Sequence, residues 1–277
     1  MNVNFFSQLY NLFIEKQWTL KDDHKLVFEN FCNLLNNLDE NQQQLIIELV
    51  DRYTWVNVGE YWGRLSSVFN DIPDQIVGNL KRIILFPVMK PKDVASTKSG
   101  QNLLYLFKGI IPYLRKYAHI QFVTIETFER ITNKKFILNE VDGLFLLDDY
   151  LGTGDTLKAT IAEILKNRNI KPQSIFVISI AAQKEAIDYL KTEGINHFYD
   201  IVSLKGISNF YEPPILIEKI ELMKGIEQLI PGNTFPFGYK ASEALMTMIR
   251  TPNNTFPIFW KQHTVGNDTF QAPFSRY

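Results

Sequence analysis

Across positions 5–69 apolar residues recur at helical spacing: Phe6, Leu9, Tyr10 and Phe13, then Phe28, Phe31, Leu34, Leu35 and Leu38, then Leu45, Ile46, Leu49 and Val50. The spacing predicts a helical extension that closes at the turn-rich Asn70-Asp71-Ile72-Pro73. Beyond it the pattern changes to short, continuous apolar runs at 83–88, 120–124, 144–147, 174–180 and 198–202, which read as strands buried on both faces. Helical patterns at 101–117, 156–167 and 183–192 fall between them. Strands alternating with helices of that length predict βαβ units, hence an α/β fold with a parallel sheet and right-handed crossovers. After Ile230 the chain turns Pro-, Gly- and Asn-rich around one helical stretch, 242–249. Three segments are therefore expected: a helical extension at 1–73, an α/β core at 74–230 and a tail at 231–277 packed on the core.

Composition narrows the function classes. Lys and Arg number 29 against 30 Asp and Glu, so no global field draws in nucleic acid or an anionic membrane. No run of about 18 apolar residues occurs, and the start lacks a basic leader, so neither a spanning nor an export segment is expected. The single cysteine, Cys32, lies in a helical apolar pattern and reads as a packing residue, which fits a reducing, cytoplasmic setting. His24, His119, His197 and His263 are not spaced with one another, with Cys or with carboxylates as a zinc site requires.

The chemistry gathers after the run Leu144-Phe145-Leu146-Leu147, where Asp148-Asp149 precede Gly152-Thr153-Gly154-Asp155-Thr156. Open α/β sheets bind ligands at the carboxyl ends of their strands, and the two acids are expected to point into that crevice. Gly152 and Gly154 permit turn conformations that bring backbone N–H groups near one anion, and a helix opening near Thr156 adds its positive end. The Thr153 and Thr156 hydroxyls can donate to the same phosphate, while Asp148 and Asp149 offer acceptors suited to two sugar hydroxyls. The same residues would also make an ordinary capped strand-to-helix turn, but both acids and both threonines would then coincide by accident. A Walker-type nucleotide site lacks its upstream G-x-x-x-x-G-K-[ST], and a dinucleotide fingerprint fails because Leu157 stands where the third glycine belongs.

This segment resembles the signature of type I phosphoribosyltransferases, in which apolar residues precede two acids and a T-G-x-T loop. The resemblance implies a Rossmann-like phosphoribosyltransferase core with a hood-like C-terminal segment. It implies that Asp148 and Asp149 hold the ribose hydroxyls, and Mg²⁺ with the ligand's pyrophosphate, and that Gly152, Thr153, Gly154, Asp155 and Thr156 take the 5′-phosphate of phosphoribosyl pyrophosphate. A pyrophosphate loop should follow the first strand, and Lys98, Ser99 and Gly100 before a helix are its candidates. Two departures weigh against purine salvage: Asp155 puts a carboxylate in an anion loop, and Gly152 stands where purine-using members often carry an acid. Together with the TPNNT-x-P-x-x-W tail, the loop is similar to the phosphoribosyltransferase-like branch associated with bacterial conflict and anti-phage systems.

Two functions follow from this reading. One is an enzyme that transfers or cleaves at the anomeric carbon of a phosphoribosyl compound with Mg²⁺, serving as a defence-system effector. The other is a non-catalytic nucleotide-sensing or assembly module that keeps the phosphate loop and acts through protein partners. The tail aromatics Phe237, Tyr239, Phe256, Phe259 and Trp260 could stack on a base, although core packing is the plainer use for most of them.

Overall fold

A computed structural model describes residues 3–93 and 99–276. By the density of internal contacts the chain forms two compact units, one spanning Gly59–Val202 and one built from the segments up to Val58 and from Ser203 onward. The divisions fall at 58/59 and 202/203, whereas the sequence pattern places its breaks at 73/74 and 230/231.

The N-terminal periodicity folds into α1 (Val3–Glu15), α2 (His24–Asn36) and α3 (Glu40–Arg52), followed by the short β1 (Thr54–Trp55). A capping box fixes the start of α3: Gln42 N–H donates to the Asp39 carboxylate at 2.9 Å, and the Gln42 side chain accepts from Asp39 N–H at 3.2 Å. The next helix, α4 (Val58–Asp71), reads in sequence as part of the same extension but packs in the sheet unit. Its Phe69 stacks on Phe107 at 4.1 Å and on Phe145 at 5.9 Å, so the apolar stripe of α4 is buried there.

The sheet unit continues with α5 (Asp74–Asn79), β2 (Arg82–Pro87), α6 (Ser99–Ile110), β3 (Gln121–Thr124), α7 (Phe128–Thr132), β4 (Asp142–Leu151), α8 (Asp155–Ile164), β5 (Ile175–Gln183), α9 (Lys184–Thr192) and β6 (Asn196–Ser203). The strands lie in the order β3-β2-β4-β5-β6, with β2 parallel to β3 and β4, and β4 parallel to β5. The expected α/β class with a parallel sheet is what the chain adopts. An ion pair between Arg82 and Asp142, which face each other in the β2–β4 register, locks the amino ends of the two strands. From β2 the chain moves outward to β3, then returns past β2 to β4 and proceeds the other way. The switch point of the sheet therefore lies between the carboxyl ends of β2 and β4. Crossovers leaving in opposite directions place their helices on opposite faces. Leu144 and Leu146 of β4 accordingly pack with Leu157, Ile161 and Ile164 of α8, while Phe145 meets Phe69 of α4 and Phe176.

The other unit is completed by α10 (Ile215–Glu227), β7 (Met246–Thr247) and a hairpin of β8 (His263–Val265) with β9 (Asp268–Phe270). The helix expected at 242–249 does not form. Ala241 and Glu243 take left-handed φ of 52° and 49°, Ala244 N–H donates to Asn254 O at 3.0 Å, and β7 pairs parallel with β1 instead. The helical propensity of Ala-Leu-Met is overridden by nonlocal hydrogen bonds. The buried Glu243 carboxylate secures this segment by accepting from Ile207 N–H, Ser208 N–H and the Ser208 hydroxyl at 3.0, 2.8 and 2.5 Å. Trp18, Phe31, Tyr53, Phe259 and Phe274 form the aromatic centre of the unit, with Tyr53 stacked on Phe274 at 4.9 Å. Phe256 and Phe259 are wholly enclosed in this core, so for these two the packing use holds and stacking on a ligand does not. Among the described residues, no helix is long and apolar enough to cross a membrane.

Candidate functional site

The site grows out of β4. The sequence ends this strand at Leu147, but parallel pairing with β5 carries it on to Leu151, with Asp148 opposite Ser179 and Tyr150 opposite Ala181. The two acids thus belong to the strand itself, and both are buried. Successive strand residues face opposite sides, so Asp149 shares the face of Phe145 and α4, whereas Asp148 shares that of Leu144 and α8. Asp149 N–H donates to Asp148 Oδ1 at 3.0 Å. On the α4 side, the hydroxyl of the buried Tyr61 donates to Asp149 Oδ2 at 2.8 Å. The acids are therefore not simply two side chains pointing together into an open crevice: one of them is already held from behind by a helix.

Past Leu151 the strand gives way to Gly152 and Thr153, both half-exposed, and to Gly154, whose φ of 79° only glycine takes at little cost. Gly154 is the N-cap of α8, so the loop delivers the chain straight into the positive end of a helix. Asp155 and Thr156 stand half-exposed in the first turn. The carboxylate that looks misplaced in an anion loop thus occupies a helix position where an acid complements the dipole, and that explains its presence without a ligand. One turn on, Thr160 fastens α8 to the end of β2. Its hydroxyl oxygen accepts Met89 N–H at 3.1 Å and lies within donating distance of Met89 O and Thr156 O at 2.8 and 2.9 Å.

The second candidate loop leads into α6. Lys98 lies outside the described residues; Ser99 opens α6, and Gly100 is buried against the strand ends. A Cβ on Gly100 would stand 2.8 Å from Leu147 O and 3.1 Å from Val88 N, so the start of α6 reaches this position only without a side chain. The structure thus brings Gly100 beside the residue that precedes Asp148, and α6 and α8 both begin at the switch point. Lys90 and Lys92 are exposed. No group of three or more His, Cys, Asp or Glu with metal-binding proximity occurs among the described residues.

Sequence reasoning missed Tyr61 and Thr160. Each occupies an ordinary helical core position, and Tyr61 meets its acid across 88 residues. The only available signal was that Tyr61 falls on the stripe of Leu65, Val68 and Phe69, which marks burial and says nothing of a partner.

Among solved structures, the chain is similar to the xanthine-guanine-hypoxanthine phosphoribosyltransferase of Helicobacter pylori, at 12% identity and a TM-score of 0.31 over 54% of this chain and 83% of that one. It is similar to the orotate phosphoribosyltransferase of Aeropyrum pernix, at 13% identity and a TM-score of 0.29 over 59% and 75%. It is also similar to the hypoxanthine-guanine phosphoribosyltransferase of Schistosoma mansoni solved with IMP, at 17% identity and a TM-score of 0.31 over 52% and 65%. No curated protein matches the chain. The PRTase-CE family model matches residues 31–276, nearly the whole length and both units. The chain belongs to the PRTase-CE family.

Proposed function

We propose that the end of β4 binds a phosphoribosyl compound, either phosphoribosyl pyrophosphate or a ribose 5-phosphate nucleotide, and that the bound compound is transferred or cleaved at its anomeric carbon. The observation that carries this reading is the placement of Asp148-Asp149 and the Gly154-capped start of α8 at the switch point between β2 and β4, where open α/β sheets take their ligands. In this reading Gly152, Thr153, Gly154 and Thr156 receive the 5′-phosphate, Asp148 and Asp149 the ribose hydroxyls, and the start of α6 at Ser99 and Gly100 the pyrophosphate.

Mg²⁺ fits the donor set. It takes one or two carboxylates and completes its shell with water and ligand phosphate oxygens, and Asp148 and Asp149 supply that number without a dedicated cage. Bound there, it would withdraw charge from a departing pyrophosphate. The two acids would stabilise the positive charge that develops on the ribose as the C1–O bond breaks and an acceptor's electron pair closes on C1.

A second reading is a nucleotide-sensing module that acts through partner proteins without turnover; the Tyr61–Asp149 contact accommodates it equally, since a carboxylate held by the fold suits binding as well as chemistry. The defence-effector role belongs to the same proposal and rests on the family resemblance. Calorimetric titration with phosphoribosyl pyrophosphate and Mg²⁺, on the wild type and on Asp148→Asn/Asp149→Asn, tests the site. Affinity should fall about 100-fold or more in the double variant, given charge-assisted contacts of about 1.5–3 kcal/mol each. Pyrophosphate release by the wild type with mixed acceptors selects the enzyme, and binding without release selects the sensor. No binding of phosphoribosyl pyrophosphate or any nucleoside monophosphate would refute both.

A further inference from the structure

We infer that Tyr61 is a positioning residue for the ribose-binding acid, so that α4 is a working part of the site. The inference rests on the phosphoribosyl reading of β4 and adds to it a residue from a helix that the sequence assigns elsewhere.

The geometry follows from two repeat lengths. Tyr61, Leu65 and Phe69 lie on one buried stripe of α4. Phe69 stacks on Phe145, and Phe145 shares a face of β4 with Asp149. Eight helical residues from Phe69 back to Tyr61 advance about 12 Å, and four strand residues from Phe145 to Asp149 advance about 13 Å. The helix therefore runs antiparallel to the strand in near-equal steps, and stacking at one end delivers the tyrosine to the acid at the other. The measured contact, 2.8 Å from the hydroxyl to Asp149 Oδ2, is what this match requires.

The helix is also held against sliding. Arg64, one turn from Tyr61, pairs with Asp200 of β6 at 2.5 Å, its guanidinium steadied by Glu60 of the same helix at 2.9 Å. At the far end, Phe69 is stacked between Phe107 and Phe145. Only 2% of Tyr61 is exposed, so the ring sits in the body of the unit and does not lie in solvent where a ligand would displace it. A hydroxyl bonded to one carboxylate oxygen fixes rotation about the last torsion of Asp149, which is otherwise broad. It thereby sets the direction from which a sugar hydroxyl must approach.

The test separates ribose recognition from phosphate recognition. Wild type, Tyr61→Phe, Asp149→Asn and the double variant are titrated with phosphoribosyl pyrophosphate and Mg²⁺ and, separately, with inorganic phosphate, with melting temperatures measured alongside. Tyr61→Phe should weaken the phosphoribosyl compound about tenfold or more, the size of one hydrogen bond to a charged acceptor. It should leave inorganic phosphate unchanged, and it should add little once Asp149 is Asn. Should the Phe variant melt far below wild type, Tyr61→His, which keeps a ring and a donor, must recover part of the phosphoribosyl affinity. Equal binding by Tyr61→Phe, tighter binding, or a parallel loss of both ligands would overturn the inference while leaving the site standing. Failure of the wild type itself to bind phosphoribosyl pyrophosphate would remove the underlying reading instead.

Discussion

Buried carboxylates occur in both units of this protein, and they are used differently. In the unit built from the two chain ends, Glu243 spends its oxygens on Ile207 N–H, Ser208 N–H and the Ser208 hydroxyl, and Glu227 on Phe237 N–H and Asn233. Glu243 ties its loop to a distant segment, Glu227 fastens the turn that follows its own helix, and neither position is a strand end. In the sheet unit, Asp148 and Asp149 also have protein donors, in Asp149 N–H and the Tyr61 hydroxyl. Their distinction lies in topology: they close a central strand beside the switch point and lead into a glycine-capped helix. Burial and hydrogen bonding alone would have ranked all four acids together, whereas their place in the sheet separates the pair proposed to hold a ligand from the pair that holds the chain.

The sharpest way to break this comparison is to remove Glu243. Glu243→Ala strands the buried Ile207 N–H and removes two charge-assisted, part-buried hydrogen bonds from the exposed Ser208, which together should cost on the order of 3–5 kcal/mol. Urea unfolding of the whole chain should show that loss, while phosphoribosyl affinity of the folded fraction stays at the wild-type level. A variant of Glu243 that kept its stability but lost the ligand would invert the assignment of roles.

Glu227 sharpens it further through pH. Burial is the largest influence on this carboxyl and raises it from 4.5 to about 7, against the opposing Phe237 N–H, Asn233 and Lys261. A carboxyl whose folded value lies above its unfolded one binds the proton more tightly in the native state. Its contribution is therefore complete below about pH 4.5 and is lost as pH rises through about 7, a change of about 3 kcal/mol for this shift. Glu227→Gln, neutral throughout, should flatten that part of the stability profile, gaining on the wild type between pH 5 and pH 8. Parallel profiles for the two proteins would show that the carboxyl titrates alike folded and unfolded.

What the sequence revealed follows the range of the interactions involved. The alternation that builds β2, β5, α8 and α9, and the start of β4, is local, and these elements form close to where the pattern puts them. The acids and the T-G-x-T loop are contiguous in the chain, so the segment that closes β4 and opens α8 stands out in the sequence as a candidate site; Lys98 lies outside the described residues. The end of β4 was misread because Asp148-Asp149 looks like the start of a loop, and only pairing with Ser179 and Ala181 extends the strand past it. The place of α4 was illegible because its stripe is satisfied by Phe107 and Phe145, far along the chain. The 242–249 segment failed for the same reason, since its hydrogen bonds go to Asn254 and, through β7, to β1.

The two glycines at the switch point give the finest resolution of how local and nonlocal demands differ. Gly100 is required by space: its missing Cβ would press on backbone atoms, Leu147 O at 2.8 Å and Val88 N at 3.1 Å, which cannot yield as a side chain would. Gly154 is required by conformation, at φ 79°, while its Cβ position has ordinary contacts with Ala186 at 3.5 and 3.6 Å. Gly100→Ala should therefore cost about 1–3 kcal/mol as overpacking and should displace the start of α6; on the proposed reading pyrophosphate then binds more weakly. Gly154→Ala should cost about 1 kcal/mol from the left-handed backbone alone, with little displacement of neighbours. Gly154→Asn, which tolerates that conformation better, should recover part of the loss, whereas Gly100→Asn should be worse than Ala because it adds bulk where there is none to spare. Melting curves of the four variants give the order directly. Recovery by Asn at 100, or its failure at 154, would show that the two positions had been assigned the wrong constraint.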